Sequence, residues 1–194
     1  CDMKLYFHFA VVGFANTYLI GPPDGGDGIL VDPGIMDKEL LTLIESNHYY
    51  IKTILVTHHH NSHVKGIRTL KKIYDADIYS FSPYILDYPS IPIKDGDEFT
   101  VASGIKVEVI EVPGHSSDSL IYHIGGMIFT GDVLAAGRVG NTKNSFSRAL
   151  LLRSIDEKLF SLPDTTLVLP GHGPPSTLKA EKMFNPDLKL LEES

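Results

Sequence analysis

The stretch Thr57–Gly66 reads T-H-H-H-N-S-H-V-K-G and contains four of the nine histidines of a 194-residue chain. It directly follows the apolar run Ile51–Val56, which predicts a buried strand. Neutral imidazole is the commonest metal ligand in proteins. Histidines at the point where a buried strand enters a loop are therefore typical of a chemical site in an α/β fold.

Three further apolar runs also end in metal-compatible side chains. The runs are Ile105–Val112, Met127–Thr130 and Leu167–Leu169. The side chains that follow them are His115, Asp132 and His172. A glycine precedes each of these residues and allows the chain to turn sharply at that point. If the four runs share one edge of the fold, these side chains converge there with the histidines of Thr57–Gly66.

The spacing within the histidine stretch indicates which ligands act together. His58 and His60 are separated by one residue, so they point to the same side of an extended segment. With His115 and an oxygen of Asp132 they complete a tetrahedral or slightly expanded shell, which we call site one. A second set, which we call site two, consists of His63, His172 and a bridging Asp132.

Composition and charge exclude several classes of function. The chain is 43% hydrophobic and 21% charged, and its length predicts one domain, residues 1–194. The net charge is −7 and there is no basic cluster, so we expect no nucleic-acid partner. No apolar run approaches the roughly 20 residues that span a bilayer, so we expect no membrane partner.

The single cysteine, Cys1, excludes an internal disulfide and fits a cytoplasmic location. We expect a small-molecule substrate and leave a homodimer open.

Hydrophobic periodicity predicts the element order ββαβαβ followed by ββββαβα. Two β-rich halves, each with helices, favour an α/β (α+β) fold arranged as a four-layer αββα sandwich. Val64–Tyr74 and Ser147–Leu162 are predicted as helices, and Phe99–Ala102 as a strand. Gly125-Gly126 predicts a hairpin, and the proline-containing segment Ser82–Ile93 is predicted to be irregular.

Together these motifs resemble the metallo-β-lactamase fold superfamily, whose signature H-x-H-x-D-H is followed by His, Asp and His. The matching residues, in the expected order, are His58, His60, His63, His115, Asp132 and His172. The early Val31-Asp32-Pro33-Gly34 and the tail Leu162–His172 extend the resemblance over essentially the whole chain. The tail is most similar to small stand-alone proteins of the glyoxalase II-like (hydroxyacylglutathione hydrolase-like) branch. The resemblance implies an αββα sandwich with one or two metal ions between the sheets.

The resemblance also implies a metallohydrolase that cleaves a small thioester or ester with a metal-bound hydroxide. The expected cofactor is zinc, one or two ions per chain with site one favoured, and iron or manganese are the alternatives. Asp132 would hold the attacking water, and His63 or His172 would assist proton transfer. Asp32 either forms a turn before Pro33 or hydrogen-bonds a ligand histidine and fixes its tautomer. A mononuclear iron persulfide dioxygenase and a metal-binding member without catalysis are the open alternatives.

One position departs from the family signature, because the stretch reads H-H-H-N-S-H. Ser62 stands where the family has an aspartate that ligates the second metal and orients the attacking water. A neutral hydroxyl is a poor ligand for a divalent cation and is no general base at neutral pH. We therefore expect site one to be occupied and site two to be weak or empty, unless Asn61 or Asp118 compensates.

Substrate recognition is a second departure. The full thioesterases that act on glutathione adducts carry a C-terminal helical domain with basic substrate-binding residues, and this sequence ends about where that domain would begin. Recognition of a glutathione adduct would then have to come from the loop Arg138–Arg148, or from Lys179 and Lys182.

Overall fold

Two six-stranded sheets form the centre of the protein in this computed structural model, which describes residues 2–101 and 103–189. Cys1 and Ala102 lie outside the described residues. The first eight strands are β1 Lys4–Phe9, β2 Asn16–Gly21, β3 Gly26–Val31, β4 Tyr49–Leu55, β5 Asp77–Ser80, β6 Tyr84–Ile85, β7 Tyr88–Pro89 and β8 Ile91–Pro92. The others are β9 Glu98–Thr100, β10 Lys106–Glu111, β11 Leu120–Ile124, β12 Met127–Gly131, β13 Leu134–Ala135, β14 Arg138–Val139, β15 Leu167–Pro170 and β16 Ser176–Thr177.

The helices lie between and after these strands. They are α1 Lys38–Ser46, α2 Asn61–Val64, α3 Ile67–Ile73, α4 Ser145–Ser154, α5 Leu178–Phe184 and α6 Pro186–Lys189. A π-helical turn, Ile155–Leu159, continues α4. None of the helices in the described part of the chain is long and apolar enough to cross a membrane.

The two sheets differ in how their strands are connected. The first has the order β1-β2-β3-β4-β5-β8, and its strands are parallel from β3 onward. Helices connect β3 to β4 and β4 to β5, and the short strands β6 and β7 lie between β5 and β8. The second has the order β16-β15-β12-β11-β10-β9 and is antiparallel except for the pair β12–β15. The parallel strands β3 and β4, and β12 and β15, bring their carboxyl ends to a common edge within each sheet.

Three apolar clusters define four layers. The cluster between the sheets joins side chains of both, for example Tyr18 and Ile20 of β2 with Tyr122 of β11. Leu19, between those two residues of β2, points the other way and packs with α1 and α3 through a second cluster. The third cluster covers the outer face of the other sheet with side chains of α4 and α5, such as Leu151 and Leu178. This arrangement is the predicted αββα sandwich, and the fold class is confirmed.

Several predicted elements differ in detail from the observed ones. The helix predicted over Val64–Tyr74 is two helices, because the backbone N–H of Gly66 leaves the helical pattern and donates to Pro33 O at 2.9 Å. Ser82–Ile93 is not wholly irregular and contains the short strands β6, β7 and β8. The helix predicted over Ser147–Leu162 begins at Ser145, where the Asn144 side chain caps it. The hairpin at Gly125-Gly126 is present between β11 and β12.

Buried hydrogen bonds join the two sheets near the edge where the histidines lie. The Tyr122 hydroxyl, fully buried, donates to Val56 O at 2.6 Å across the sandwich. The backbone N–H of Leu120 donates to Thr57 O at 2.8 Å. The Asn16 amide donates to Pro170 O at 3.0 Å. The first two bonds fix the end of β4 against the second sheet, and the third joins β2 to β15. The ligands that follow β4 therefore have a defined position relative to the others.

We expect Tyr122→Phe to lower the free energy of unfolding by about 1–2 kcal/mol, because the buried carbonyl of Val56 loses its hydroxyl donor. Denaturant unfolding of the metal-free protein measures this change. Tyr84→Phe is the control, because Tyr84 is 61% exposed and its substitution should change stability by less than about 0.5 kcal/mol. Equal losses in the two variants would contradict the role given to the Tyr122 hydroxyl.

Candidate metal centre

The candidate site lies where four strands of the two sheets end. His58, His60 and His63 follow β4 of the first sheet, and the remaining side chains follow β10, β12 and β15 of the second. Side chains from both sheets therefore meet at one edge of the sandwich. The structure brings together His58, His60, His63, His115, Asp132 and His172.

Site one is a group of three imidazoles and one carboxylate. Nε2 of His58 lies 3.3 Å from Oδ2 of Asp132, and Nε2 of His115 lies 3.6 Å from the same oxygen. The ring of His60 packs at 4.4 Å from the ring of His58, measured between centroids. One ligand atom of each of the four residues lies within 4.8 Å of the others. A single cation can therefore touch all four side chains.

Site two is formed on the other oxygen of the same carboxylate. Nε2 of His63 lies 3.3 Å from Oδ1 of Asp132, and Nε2 of His172 lies 3.4 Å from it. The carboxylate thus turns one oxygen toward each group. Such a bridge is the arrangement that holds two ions roughly 3.5–4 Å apart in two-metal sites.

Four of the histidines are fixed through Nδ1, which leaves Nε2 to face the centre. The Nδ1 atoms of His63, His115 and His172 lie within 2.9 Å of an acceptor. The acceptors are Asp32 Oδ2, Asn141 O and Phe14 O, respectively. Nδ1 of His58 lies 3.0 Å from the hydroxyl of Thr57. Because a ligand histidine in proteins donates its other ring N–H to an outer partner, these contacts select the tautomer that a metal requires.

Unpartnered atoms at the centre test whether a cation fits. Nε2 of His58, His63 and His115 and Oδ1 of Asp132 are buried and have no hydrogen-bond partner among the described residues. Leaving such atoms unpaired costs about 1–3 kcal/mol each, so buried polar groups in folded proteins are normally satisfied. A divalent cation in site one satisfies Nε2 of His58 and of His115, and one in site two would satisfy Nε2 of His63 and Oδ1 of Asp132. The donor set of imidazole nitrogens and a carboxylate oxygen suits zinc, iron or manganese.

The charges of the protein itself favour a carboxylate at Asp132 and an imidazolium at His63. Burial would raise the pKa of Asp132, but its contacts with His58 and His63 outweigh burial and hold that pKa far below its usual range. Burial lowers the pKa of His63, but Asp32 and Asp132 overcome it and raise that pKa to about 10. The pKa of His60 is lowered, first by burial and then by the neighbouring imidazoles. His60 is therefore neutral at pH 7, whereas an ion in site two must displace a proton from His63.

Two glycines allow the ligands to approach one another. Gly131 precedes Asp132 with φ at 52°, and a Cβ at this position would lie 2.5 Å from the Thr57 hydroxyl oxygen. Gly171 precedes His172, and a Cβ there would collide with the ring of His63. A side chain at either position would therefore push apart residues that the site needs together.

Ser62 lies beside a separate cavity. It is on α2, and with Gly13 and Met36 it lines a cavity of about 360 Å³ rather than the one over the ligand groups. Asp118 does not replace the missing carboxylate, because its side chain accepts the backbone N–H of His59 at 2.8 Å and thereby holds the histidine loop. Among the described residues, neither Asp118 nor His59 belongs to a ligand group.

Asp32 hydrogen-bonds the ligand His63, which is one of the two roles considered from the sequence, and it also hydrogen-bonds Thr57. Its Oδ1 accepts the backbone N–H of Thr57 at 2.8 Å. Its Oδ2 accepts the Thr57 hydroxyl at 2.6 Å and Nδ1 of His63 at 2.9 Å. Sequence reasoning missed Thr57 and the carbonyls of Phe14 and Asn141. Every residue has a backbone carbonyl, so the sequence does not indicate which carbonyl will accept a hydrogen bond from a ligand. Thr57, in contrast, directly precedes His58, and its hydroxyl could have been predicted from the sequence to contact that ligand.

Comparison with known proteins places these features in a family. The profile of the Metallo-beta-lactamase superfamily matches residues 10–172. The chain is 30% identical over 210 residues to an uncharacterised protein of Mycobacterium tuberculosis, covering 91% of this chain and 93% of that protein. It is 33% identical over 153 residues to a hydroxyacylglutathione hydrolase of Hahella chejuensis, covering 77% of this chain. The chain spans only 58% of the length of that hydrolase.

A solved structure extends the comparison to the backbone. The crystal structure of TTHA1623 in a di-iron-bound form superposes with a TM-score of 0.78. It is 28% identical to the chain, and the superposition covers 93% of this chain and 98% of that one. The similarity supports the four-layer fold and shows that a similar protein holds iron.

We predict that Ser62→Asp raises the bound metal from about one ion per chain toward two, because the added carboxylate supplies the charge that site two lacks. Metal analysis after dialysis against buffered zinc measures the stoichiometry. Ser62→Asn is the matched control, since it has nearly the same shape without the charge, and it should bind as the unmodified protein does. An unchanged stoichiometry in Ser62→Asp would mean that Ser62 is not what limits site two.

Proposed function

Because the chain belongs to the metallo-β-lactamase superfamily, we propose that it is a metal-dependent hydrolase of a small thioester or ester. The observation that carries this proposal is the convergence of unpartnered imidazole nitrogens on both oxygens of Asp132. The similarity to hydroxyacylglutathione hydrolases supports the reaction class. In this proposal His58, His60, His115 and Asp132 hold the principal ion, which is zinc in the leading version.

The cavity over the ligands sets the size of the substrate. Its volume is about 250 Å³, and its lining includes His115, Asp132, Arg138 and His172. This volume lies below the roughly 300–1,000 Å³ of small-molecule sites and favours a compact acyl group over a large one. When bound, a divalent ion supplies a water ligand with a pKa of about 7 and polarises the substrate carbonyl.

The chain's own side chains then have separate tasks. Asp132 lies between the two groups of histidines, so its carboxylate can accept a hydrogen bond from the attacking water and orient it. His172 lines the cavity and has Nδ1 fixed by Phe14 O, so its Nε2 is the atom available to take a proton and pass it to the leaving group. His63 is completely buried and cannot touch the substrate. Its task is to hold Asp132 in place, as Asp32 in turn holds His63.

We expect chelator-sensitive turnover of thioesters or esters by the protein loaded with zinc, iron or manganese. The assay compares a thioester, a lactone, a phosphoester and a β-lactam before and after metal removal and reloading. His115→Ala should lower activity at least about 100-fold, because site one loses a ligand. His59→Ala is the control, since His59 is exposed beside the site and belongs to neither ligand group. The proposal fails if metal-loaded protein hydrolyses none of the four substrates.

The iron-bound form of a similar protein supports iron as an alternative metal. The second candidate function is therefore a mononuclear iron oxygenase of the persulfide dioxygenase type. Three imidazoles with one carboxylate suit iron as well as zinc, so the donor set alone does not choose. Metal analysis of anaerobically purified protein, with oxygen uptake measured in the presence of a persulfide, separates the two reactions. Metal binding without turnover in either assay would indicate a member that binds metal and does not catalyse.

Arg138 is the cation placed to select the substrate. It lies on the hairpin β13–β14, which follows Asp132 directly, and it lines the cavity. The Val139 N–H on this hairpin donates to Asp187 at 2.9 Å, which restrains the backbone. Two of the other basic residues named from the sequence have different contacts, since Arg148 pairs with Asp187 and Lys182 with Asp164.

We expect Arg138→Gln to raise KM about 5–10-fold for a thioester that carries a carboxylate, with kcat little changed, because the guanidinium binds the carboxylate in the ground and transition states alike. A neutral ester of the same size should show no change in KM. Arg153→Gln is the control, as Arg153 is exposed and pairs with Glu157 away from the cavity. Equal effects on the charged and neutral substrates would contradict this role.

A further inference from the structure

Thr57 connects the two halves of the candidate metal centre. It directly precedes His58, and its side chain is buried, with 1% of the residue exposed. Its hydroxyl lies 2.6 Å from Oδ2 of Asp32 and 3.0 Å from Nδ1 of His58. The same oxygen of Asp32 also lies 2.9 Å from Nδ1 of His63. One carboxylate thus contacts a ligand of site two directly and a ligand of site one through a hydroxyl.

The direction of the hydrogen bonds follows from the chemistry of the partners. A carboxylate can only accept, so the single hydroxyl proton of Thr57 points to Asp32. The hydroxyl oxygen then has only lone pairs to offer, so Nδ1 of His58 must carry the proton and donate it. A neutral imidazole with its proton on Nδ1 has a lone pair on Nε2. Nε2 is the atom that faces Asp132 in site one.

We infer that Thr57 is a positioning residue that transmits the fixed charge of Asp32 to His58 and so sets the tautomer that site one needs. The inference rests on the proposed metal centre. It goes beyond that centre because it assigns a role to a side chain that touches neither the substrate nor the ion. It also makes Asp32 a support for both sites rather than for His63 alone.

Loss of the hydroxyl should favour the wrong tautomer. Without an acceptor at Nδ1, the proton of His58 is better placed on Nε2, where Oδ2 of Asp132 lies 3.3 Å away. That proton would occupy the lone pair meant for the cation. It would also engage the carboxylate oxygen of site one. Before an ion could bind, that proton would have to move to Nδ1, where it no longer has an acceptor, so the affinity falls although every ligand is still present.

The test compares cobalt(II) binding by Thr57→Val with binding by the unmodified protein, with affinity measured by competition with a chromophoric chelator. We expect a 10–100-fold loss of affinity in Thr57→Val, together with changed ligand-field absorption bands. Thr53→Val is the matched control, because Thr53 is also buried on the way to the site, in β4, and lies outside the network. Thr57→Ser, which keeps the hydroxyl, should restore the affinity. A Thr57→Val protein that binds cobalt as tightly as the unmodified protein would overturn the inference.

Two further comparisons address a Thr57→Val protein that does not fold and the question whether Thr57 acts through Asp32. If Thr57→Val does not fold, Thr57→Ala against Thr57→Ser isolates the hydroxyl in smaller side chains, and equal affinities in that pair overturn the inference. The combination of Thr57→Val with Asp32→Asn should lose little more affinity than Asp32→Asn alone, because both changes interrupt one chain of hydrogen bonds. Additive losses would show that Thr57 does not act through Asp32. Failure of the proposed centre looks different, since the unmodified protein would then bind no cobalt.

Discussion

The arrangement of this site depends on one buried carboxylate, Asp32. It directly follows β3 and has φ at 51°, a left-handed conformation that aspartate adopts more readily than most residues. This turn directs its side chain across to the end of β4, where it accepts two hydrogen bonds from Thr57 and one from His63. The neighbouring Pro33 carbonyl accepts the N–H of Gly66. The end of β3 therefore determines where the histidine loop starts and where α2 ends.

Asp132 performs the complementary task from the second sheet. Its two oxygens face two groups of imidazoles, and those groups come from loops of both sheets. The sheets must therefore keep a fixed separation for either group to form. The bonds from Tyr122 and Leu120 to the end of β4, and from Asn16 to Pro170, supply that constraint a few residues from the ligands. The packing of the two sheets therefore determines the geometry of the site, because a shift of one sheet would separate Asp132 from its imidazoles.

Much of the fold could be predicted from the sequence, because strand and helix periodicities are local and the polar residues follow apolar runs. The same reasoning grouped His58 with His115 and Asp132, which the structure brings within 4.8 Å. What it could not predict depends on distant backbone atoms. The break between α2 and α3 arises from a carbonyl 33 positions earlier in the chain, at Pro33, that accepts the N–H of Gly66. The carbonyl that orients His172 belongs to the backbone of Phe14, so the apolar side chain of Phe14 does not indicate this contact.

The effect that we propose for Ser62 on the centre is one of charge balance rather than of shape. Asp132 is the only carboxylate among the two ligand groups of the described residues, and Asp32 adds a second negative charge behind His63. While His63 is an imidazolium, these two carboxylates leave a net charge of about −1 around the site. Two ions would bring four positive charges into a buried space where uncompensated charge is costly. In the proposed enzyme the first ion therefore takes site one. His172 then keeps a free Nε2 beside the substrate, so the loss of one carboxylate provides a proton acceptor where other arrangements would place a second metal ion.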